Sequence, residues 1–264
     1  MREGAIALYE EALHQEPQHQ EPQHQGTSSA GARRARRGPV EPLVLRTADG
    51  RALAFPVARW CAPADAADEE LLRRCQGPVL DVGCGPGRLT IALTERGIPA
   101  LGVDISRAAV ARARQGGAAA LRRSVFDPLP GQGRWATILL ADGNIGIGGA
   151  PITLLHRCAQ LLAPGGQLLI EAEPDEADEQ LTAFLEHPDG RRGPAFPWAR
   201  LGTAALLRAA ADAGLDATTR WQHSGRAFVS VGSPTAPPRG AASPTALQRG
   251  KAVAPSARAV PARA

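Results

Sequence analysis

The chain lacks the features that mark membrane, secreted and metal-binding proteins. No uninterrupted apolar run approaches the roughly 18 residues that a membrane-spanning helix requires, so we expect no bilayer span. The N-terminus carries Glu3 and Glu10 and no apolar h-region, so we expect no secretory signal. The four cysteines form no C-x-x-C pair, which disfavours a zinc site or a disulfide framework and favours a reducing, cytoplasmic location.

Lysine is almost absent, and the positive charge is unevenly placed. Of 30 basic residues all but Lys251 are arginine, which we interpret as the codon bias of a GC-rich genome. The formal net charge is +4, but residues 233–264 carry +5, residues 1–39 are neutral and residues 40–232 carry −1. A nucleic-acid-binding domain presents a basic face with interleaved aromatic residues, so we do not expect a nucleic-acid partner.

Composition divides the 264 residues into one domain with two appendages. Residues 1–39 begin with a helix-like stretch and continue into an HQEPQ repeat, whose prolines indicate a low-complexity linker. Residues 233–264 hold six prolines and neither acidic nor aromatic residues, which predicts a disordered basic tail. Residues 40–232 hold nine of the ten aromatic residues and form the predicted domain. Within it, residues 40–76 are expected to form a cap.

Short apolar runs alternate with helical patterns through this domain. The predicted strands are 79–82, 100–104, 121–126, 135–141, 167–172, 217–223 and 226–231, the last two forming an antiparallel hairpin. Helices are predicted after the first, second, fourth and fifth strands, and Ser106 is the expected N-cap of the second helix. The alternation predicts an α/β fold with a mostly parallel sheet covered on both faces.

The most informative segment is the run VLDVGCGPGRLT at residues 79–90. A buried strand is followed by glycines at positions 83, 85 and 87 and then by a helix, so backbone N–H groups can approach a ligand closely. Asp104, at the end of the next strand, lies 17 residues past Gly87, where a carboxylate can accept hydrogen bonds from a ribose diol.

Two classes of cofactor use such a loop. Dinucleotide enzymes use G-x-G-x-x-G, but here the third glycine comes one place early and Arg88 stands where glycine or alanine is needed. Asp81 is unfavourable beside a pyrophosphate and suits a ligand with a cationic amino-acid end. A nicotinamide-dependent oxidoreductase is therefore the less favoured alternative.

The run DVGCGPG at residues 81–87 resembles the first motif of class I S-adenosylmethionine-dependent methyltransferases. The resemblance covers about residues 77–231. The overall sequence pattern is similar to that of uncharacterised actinobacterial members of the family. It implies S-adenosyl-L-methionine as cofactor and a Rossmann-like sheet of seven strands in the order 3-2-1-4-5-7-6. Strand 7 would be antiparallel, with helices on both faces.

The resemblance also implies cofactor-binding roles for eleven residues. They are Asp81, Gly83, Cys84, Gly85, Gly87, Asp104, Ile105, Phe126, Asp127, Ala141 and Asp142. Residues 83–85 would line the methionine moiety, with Asp81 assisting near its amino group, and Asp104 would hold the ribose hydroxyls. Ile105, Phe126 and Asp127 would surround the adenine, and the last two positions would meet the amino end of the ligand.

Candidate acceptor-site residues follow the fourth and fifth strands, where open α/β sheets bind ligands. We expect Asp142 and Asn144 near the transferred methyl group, with capping of a turn as the alternative role of Asn144. The segment at residues 196–200 has two alternative roles. It is either a substrate lid, in which Trp198 would contact the substrate and Arg200 would receive an anionic group, or a packed crossover anchored by Trp198. The acidic run at residues 171–179 is interpreted as the start of a helix, and no metal site is predicted.

The leading hypothesis is an enzyme, an S-adenosylmethionine-dependent methyltransferase that acts on a small-molecule acceptor. No catalytic residue is named. Methyl transfer from a sulfonium chiefly needs in-line positioning, and a base is needed only if the proton of the acceptor must leave. A non-catalytic scaffold or sensor that binds the same cofactor is the alternative from another class. The acceptor atom and the oligomeric state are left open.

Overall fold

Two β-sheets and seven α-helices make up the described part of the chain, residues 6–16 and 43–233 of a computed structural model. The strands are β1 (Val44–Thr47), β2 (Ala52–Ala54), β3 (Val79–Val82), β4 (Ala100–Asp104), β5 (Ala120–Arg122), β6 (Trp135–Leu140), β7 (Leu162–Ala172), β8 (Asp178–Glu186), β9 (Phe196–Leu201), β10 (Asp216–His223) and β11 (Arg226–Gly232). The helices are α1 (Ala7–Gln15), α2 (Val57–Cys61), α3 (Ala66–Leu72), α4 (Arg88–Glu95), α5 (Arg107–Gln115), α6 (Pro151–Leu161) and α7 (Thr203–Asp212). None of these helices is long and apolar enough to cross a membrane. The predicted low-complexity linker and basic tail lie almost wholly outside the described residues.

The larger sheet has seven strands in the order β10-β11-β7-β6-β3-β4-β5. Strands β5, β4, β3, β6 and β7 run parallel, whereas β11 pairs antiparallel with both β7 and β10. Numbered along the chain within this sheet, the order is 3-2-1-4-5-7-6 with strand 7 antiparallel. The predicted fold class and strand order are therefore confirmed.

Helices cover both faces of this sheet. Leu80 and Ile138 belong to the apolar cluster that includes residues of α6 and α7. Their neighbours Val79 and Leu139 belong to a second cluster, with residues of α3 and α4. Because successive side chains of a strand point to opposite faces, the two clusters lie on opposite sides of the sheet.

The third strand of the sheet is shorter than predicted. The prediction ran from 121 to 126, but β5 ends at Arg122 and a turn follows. In that turn the Ser124 hydroxyl accepts a hydrogen bond from the Phe126 N–H at 3.2 Å, and the Asp127 carboxylate accepts one from the Ser124 N–H at 3.3 Å. Such local side-chain bonds compete with strand pairing, in agreement with the end of β5 at Arg122.

A second sheet, of four antiparallel strands in the order β2-β1-β8-β9, was not predicted. The interpretation of the acidic run as a helix start is wrong, because the chain enters β8 at Asp178. Two of the carboxylates on β8 meet arginines from β1 and from the turn after it. Glu186 lies 2.6 Å from Arg46, and Glu179 lies 2.9 Å from Arg51. These ion pairs favour the extended conformation of β8, and the pair of Glu179 does so within the acidic run itself.

Candidate functional site

The glycine loop between β3 and α4 lines the floor of a cavity at the carboxyl edge of the larger sheet. Gly85 has a φ of +54°, in the left-handed region that favours glycine. Gly87 serves another purpose, since a Cβ there would lie 2.7 Å from the Cβ of Ala113 in α5. It therefore allows α4 and α5 to approach each other, and it does not line the cavity.

Asp104, the last residue of β4, fastens this loop. Its Oδ2 accepts a hydrogen bond from the Gly85 N–H at 2.9 Å, and its Oδ1 accepts one from the Ser106 N–H at 2.8 Å. Burial raises the pKa of the Asp104 carboxyl, while these backbone hydrogen bonds lower it. Ser106 caps α5 as predicted, accepting a hydrogen bond from the Ala109 N–H.

Asp81 lies below the loop, within β3, and is buried. Its Oδ2 accepts a hydrogen bond from the Thr90 hydroxyl at 2.7 Å. Burial raises the pKa of Asp81 to about 6, with the Thr90 hydrogen bond opposing the rise. Burial also raises the pKa of the neighbouring Cys84 thiol, which is therefore neutral at physiological pH.

Asp142, just beyond β6, joins a buried network of ion pairs. Arg88 pairs with both Asp142 and Asp68, and the side chain of Arg88 is only 3% exposed. Arg226 lies 2.7 Å from both Asp68 and Glu171, and Glu171 accepts a hydrogen bond from the Asp142 N–H at 2.8 Å. The network holds Asp142 at a φ of +54°, an uncommon conformation for a residue other than glycine.

Asn144 begins the 3-10 segment Asn144–Gly149 and braces the glycine loop from the side. Its Nδ2 donates hydrogen bonds to the carbonyl oxygens of Val82 and Gly83, at 2.9 and 3.0 Å. A Cβ on Gly83 would lie 2.7 Å from this amide. The amide N–H₂ is thus bonded to the protein, and the predicted position of Asn144 beside a transferred methyl group stays a prediction.

The two residues predicted to flank the adenine end occupy different surroundings. Phe126 lines the cavity and is 43% exposed, which is unusual for a phenylalanine. Asp127 does not line the cavity. Its carboxylate closes the turn to Ser124, and its carbonyl accepts a hydrogen bond from Arg157 at 2.7 Å.

Trp198 and Arg200 both face the cavity from β9. Trp198 packs edge-on to Phe196 and lies against Gly146, where a Cβ would approach its indole to 2.7 Å. The Arg200 guanidinium lies 2.9 Å from Glu173 and 3.1 Å from Asp175, and Glu179 lies 3.6 Å away. These three carboxylates neutralise Arg200, so the expectation that it receives an anionic ligand group is not supported.

One cavity of about 580 Å³ brings most of the predicted site together. Twelve of the fourteen predicted cofactor and substrate residues line it: Asp81, Gly83, Cys84, Gly85, Asp104, Ile105, Phe126, Ala141, Asp142, Asn144, Trp198 and Arg200. The volume lies within the range of small-molecule sites. No cluster of metal-ligating side chains occurs in residues 6–16 and 43–233.

Sequence reasoning expected a cap at residues 40–76, but it assigned no residue of the opposite wall of the cavity to the site and did not place α1 there. This wall is formed by α1, β1, β2 and α2, and includes Ile6, Tyr9, Leu45, Leu53, Phe55, Arg59 and Trp60. The rings of Tyr9, Phe55 and Trp60 contact one another edge-on, with centroids 4.6 to 5.8 Å apart. In a chain with only ten aromatic residues, this local concentration was the signal that could have identified the wall.

Comparison with known proteins identifies a family that is consistent with the geometry of the cavity. The sequence model of the family described as "Methyltransferase domain" matches residues 52–219. A ubiquinone biosynthesis O-methyltransferase of Pseudomonas paraeruginosa is 33% identical over 101 residues, which are 35% of this chain and 42% of that protein. The chain therefore matches less than half the length of the curated relatives that it resembles.

Two solved structures share the fold. A SAM-dependent methyltransferase of Bacteroides fragilis, in complex with S-adenosyl-L-homocysteine, has a TM-score of 0.63 at 22% identity, covering 74% of this chain and 88% of that one. The CcbJ methyltransferase of Streptomyces caelestis has a TM-score of 0.50 at 16% identity, covering 66% and 92%. At these identities the likeness extends to the fold alone.

Proposed function

Because the chain belongs to the methyltransferase-domain family, we propose that it transfers a methyl group from S-adenosylmethionine to a small-molecule acceptor. The observation that carries the proposal is the joint placement of the glycine loop and the Asp104 carboxylate in one cavity. The loop offers bare backbone to a ligand, and the carboxylate can accept further hydrogen bonds. Its oxygens accept backbone hydrogen bonds from Gly85 and Ser106, and a carboxylate has lone pairs left for a ribose hydroxyl.

The residues present fit S-adenosylmethionine. Gly83 and Gly85 would hold its methionine half, with the backbone of Ala141 and Asp142 at the amino-acid end. Asp104 would hold the ribose, and Ile105 and Phe126 would enclose the adenine. When bound, the cofactor supplies an electrophilic methyl group on a positively charged sulfur. The protein's contribution is to orient the acceptor in line with that group.

The acceptor side of the cavity supports an acceptor with an apolar body. Leu45, Leu53, Phe55 and Trp198 present apolar surface there, while Arg200 is neutralised by carboxylates. Sites of this kind bind the apolar part of a ligand and fix its orientation with a few polar groups. We assign no general base.

A methyl-transfer screen tests the proposal. The full chain would be incubated with methyl-deuterated S-adenosylmethionine and a panel of apolar compounds that bear hydroxyl, amine or thiol groups. Mass spectrometry would follow the labelled methyl group, with Asp104→Asn as the matched control. Transfer by the wild type to one class of compound supports the enzyme. Cofactor binding without transfer to any compound would favour the non-catalytic scaffold or sensor.

We further propose a cytoplasmic location. All four cysteines are free thiols, as a reducing compartment would keep them. Fractionation of the source cells, followed by detection of the chain with an antibody, tests this. Recovery with the extracellular or membrane fraction would contradict it.

A further inference from the structure

The N-terminal helix α1 is fixed to the edge of the cavity by contacts at both of its ends. Glu10 accepts hydrogen bonds from the Ser106 hydroxyl at 3.0 Å and from the Arg107 N–H at 2.7 Å, at the start of α5. Arg112, in the last turn of α5, donates to the Leu13 and Glu16 carbonyls at 2.8 and 3.0 Å. The Glu10 carboxylate of α1 thus caps the start of α5, and Arg112 of α5 caps the end of α1.

Apolar packing holds the same orientation. Leu8 and Leu13 are buried in a cluster that includes Ala109 of α5 and Leu185 of β8. Glu11 forms a two-armed ion pair with Arg191, at 2.8 and 3.0 Å. The face of α1 toward the cavity is therefore set by contacts on its other sides.

That face presents Tyr9 to the glycine loop. The Tyr9 hydroxyl oxygen lies 3.1 Å from the position that a Cβ on Gly85 would take. The ring is held edge-on between Phe55 and Trp60, and the residue is only 8% exposed. Among the residues that the structure describes, none is a hydrogen-bond partner of this hydroxyl, although its ring is packed from two sides.

We propose that Tyr9 is a cofactor-binding residue, whose hydroxyl donates a hydrogen bond to S-adenosylmethionine where its ribose meets its methionine half. The inference rests on the proposed function, since Gly85 and Asp104 are the residues assigned to those two parts of the cofactor. A hydroxyl held by a packed ring beside bare backbone loses little conformational freedom on binding a ligand, so its hydrogen bond contributes to affinity.

The protonation state agrees with a donor role. Burial raises the pKa of Tyr9, and the Asp104 carboxylate raises it further. The phenol is therefore protonated throughout the neutral range and has its proton available for donation.

A spectroscopic test is direct because Tyr9 is the single tyrosine of the 264 residues. Tyrosine labelled with ¹³C at Cζ gives one resonance in the full chain, and that resonance responds to hydrogen bonding of the hydroxyl. We expect it to shift on saturation with S-adenosylhomocysteine. A resonance that stays in place while calorimetry records binding would overturn the inference and leave the proposed function standing.

Calorimetry of Tyr9→Phe measures the size of the effect. The phenylalanine ring keeps its packing on Phe55 and Trp60, so we expect the melting temperature of the free protein to be unchanged. The dissociation constant for S-adenosylhomocysteine should rise about three- to tenfold, the effect of one neutral hydrogen bond. An affinity within twofold of the wild type would overturn the inference.

Glu11→Gln is the matched control on the same helix, since it weakens an exposed contact of α1 without touching Tyr9. Its dissociation constant should lie within twofold of that of the wild type. If Glu11→Gln weakened binding as much as Tyr9→Phe, docking of α1 and not the hydroxyl would be responsible, which contradicts the inference. If the wild type bound no adenosyl ligand, the proposed function would fail together with it.

Discussion

The two halves of the cavity are built by different means. On the side of the larger sheet, the wall consists of backbone at the glycine loop and of carboxylates such as Asp81 and Asp104 at strand ends. On the side of the second sheet and α1, the wall consists of aromatic and aliphatic side chains such as Phe55, Leu53 and Trp198.

This difference separates two kinds of recognition. Backbone geometry at the ends of parallel strands fixes polar contacts within narrow limits, which suits a cofactor of constant structure. A wall of apolar side chains recognises shape, and single substitutions change that shape at modest cost to folding. We therefore assign the constant ligand to the first half together with Tyr9 of α1, and the acceptor to the rest of the second half. The following substitutions test that assignment.

The largest effect is expected from removing the central cation of the polar half. Arg88→Ala leaves Asp68, which is fully buried, with Arg226 as its remaining close partner. The loss should therefore reach at most about 3–5 kcal/mol, which is the cost of an unpaired buried charge. Urea unfolding measures this loss of stability. The control Arg208→Ala breaks an exposed pair with Asp178 and should cost at most about 1 kcal/mol. Equal effects of the two variants would contradict the network.

The second effect depends on pH. Burial raises the pKa of Asp81 from its ordinary value of 3.8 to about 6, the Asp142 and Asp104 carboxylates adding to the rise and Thr90 and Arg88 opposing it. Because the folded-state pKa lies above the unfolded one, the protonated Asp81 carboxyl stabilises the folded state relative to the ionised form. This contribution is complete below pH 3.8 and is lost as the pH rises through about 6.

Asp81→Asn removes the ionisation that causes this loss. The free energy of unfolding of the variant, relative to the wild type, should rise by up to about 3 kcal/mol between pH 4 and pH 7. Urea unfolding at four pH values checks it. A difference between the two proteins that is independent of pH would show that the pKa of Asp81 is not raised.

The third effect compares two aspartates that the sequence placed in the same site. Asp104→Asn should weaken binding of S-adenosylhomocysteine about 10- to 100-fold, because a charged acceptor toward the ribose is lost. Asp127→Asn should leave the affinity within twofold, since Asp127 does not line the cavity. Calorimetry of both variants is the measurement. A larger effect at Asp127 would show that the adenine end of the cofactor lies closer to Asp127 than we assign.

The smallest effect separates the acceptor from the cofactor. Trp198→Leu reduces the apolar wall and should raise the KM for an acceptor found in the methyl-transfer screen about 3- to 30-fold. The dissociation constant for S-adenosylhomocysteine should change less than twofold. Steady-state kinetics and calorimetry together give both numbers. A parallel loss of cofactor affinity would contradict the division of the cavity.

The half that holds the glycine loop was predictable from the sequence because its signals are local. A buried strand, three alternate glycines and a helix are contiguous at residues 79–95, and Asp104 ends the next strand. The family that this motif resembles is confirmed by the match over residues 52–219. The roles of the individual residues stay predictions, and Gly87 and Asp127 lie outside the cavity for reasons of helix packing and turn formation.

The other half was less predictable because its contacts join distant parts of the chain. Arg46 and Glu186, which pair across β1 and β8, are 140 positions apart. The acidic run favoured a helix start by its local charge, but its arginine partners lie on other segments. Tyr9 belonged to a segment set apart by composition, and only its packing on α5 and Phe55 brings it to the glycine loop.

The central claim is tested most directly by calorimetric titration of the full chain with S-adenosylmethionine, S-adenosylhomocysteine and NAD in parallel. The account predicts that both adenosyl ligands bind and that NAD does not. Binding of NAD alone would contradict the assignment of the glycine loop and favour a dehydrogenase. Failure of all three to bind would contradict the claim that the cavity is a cofactor site.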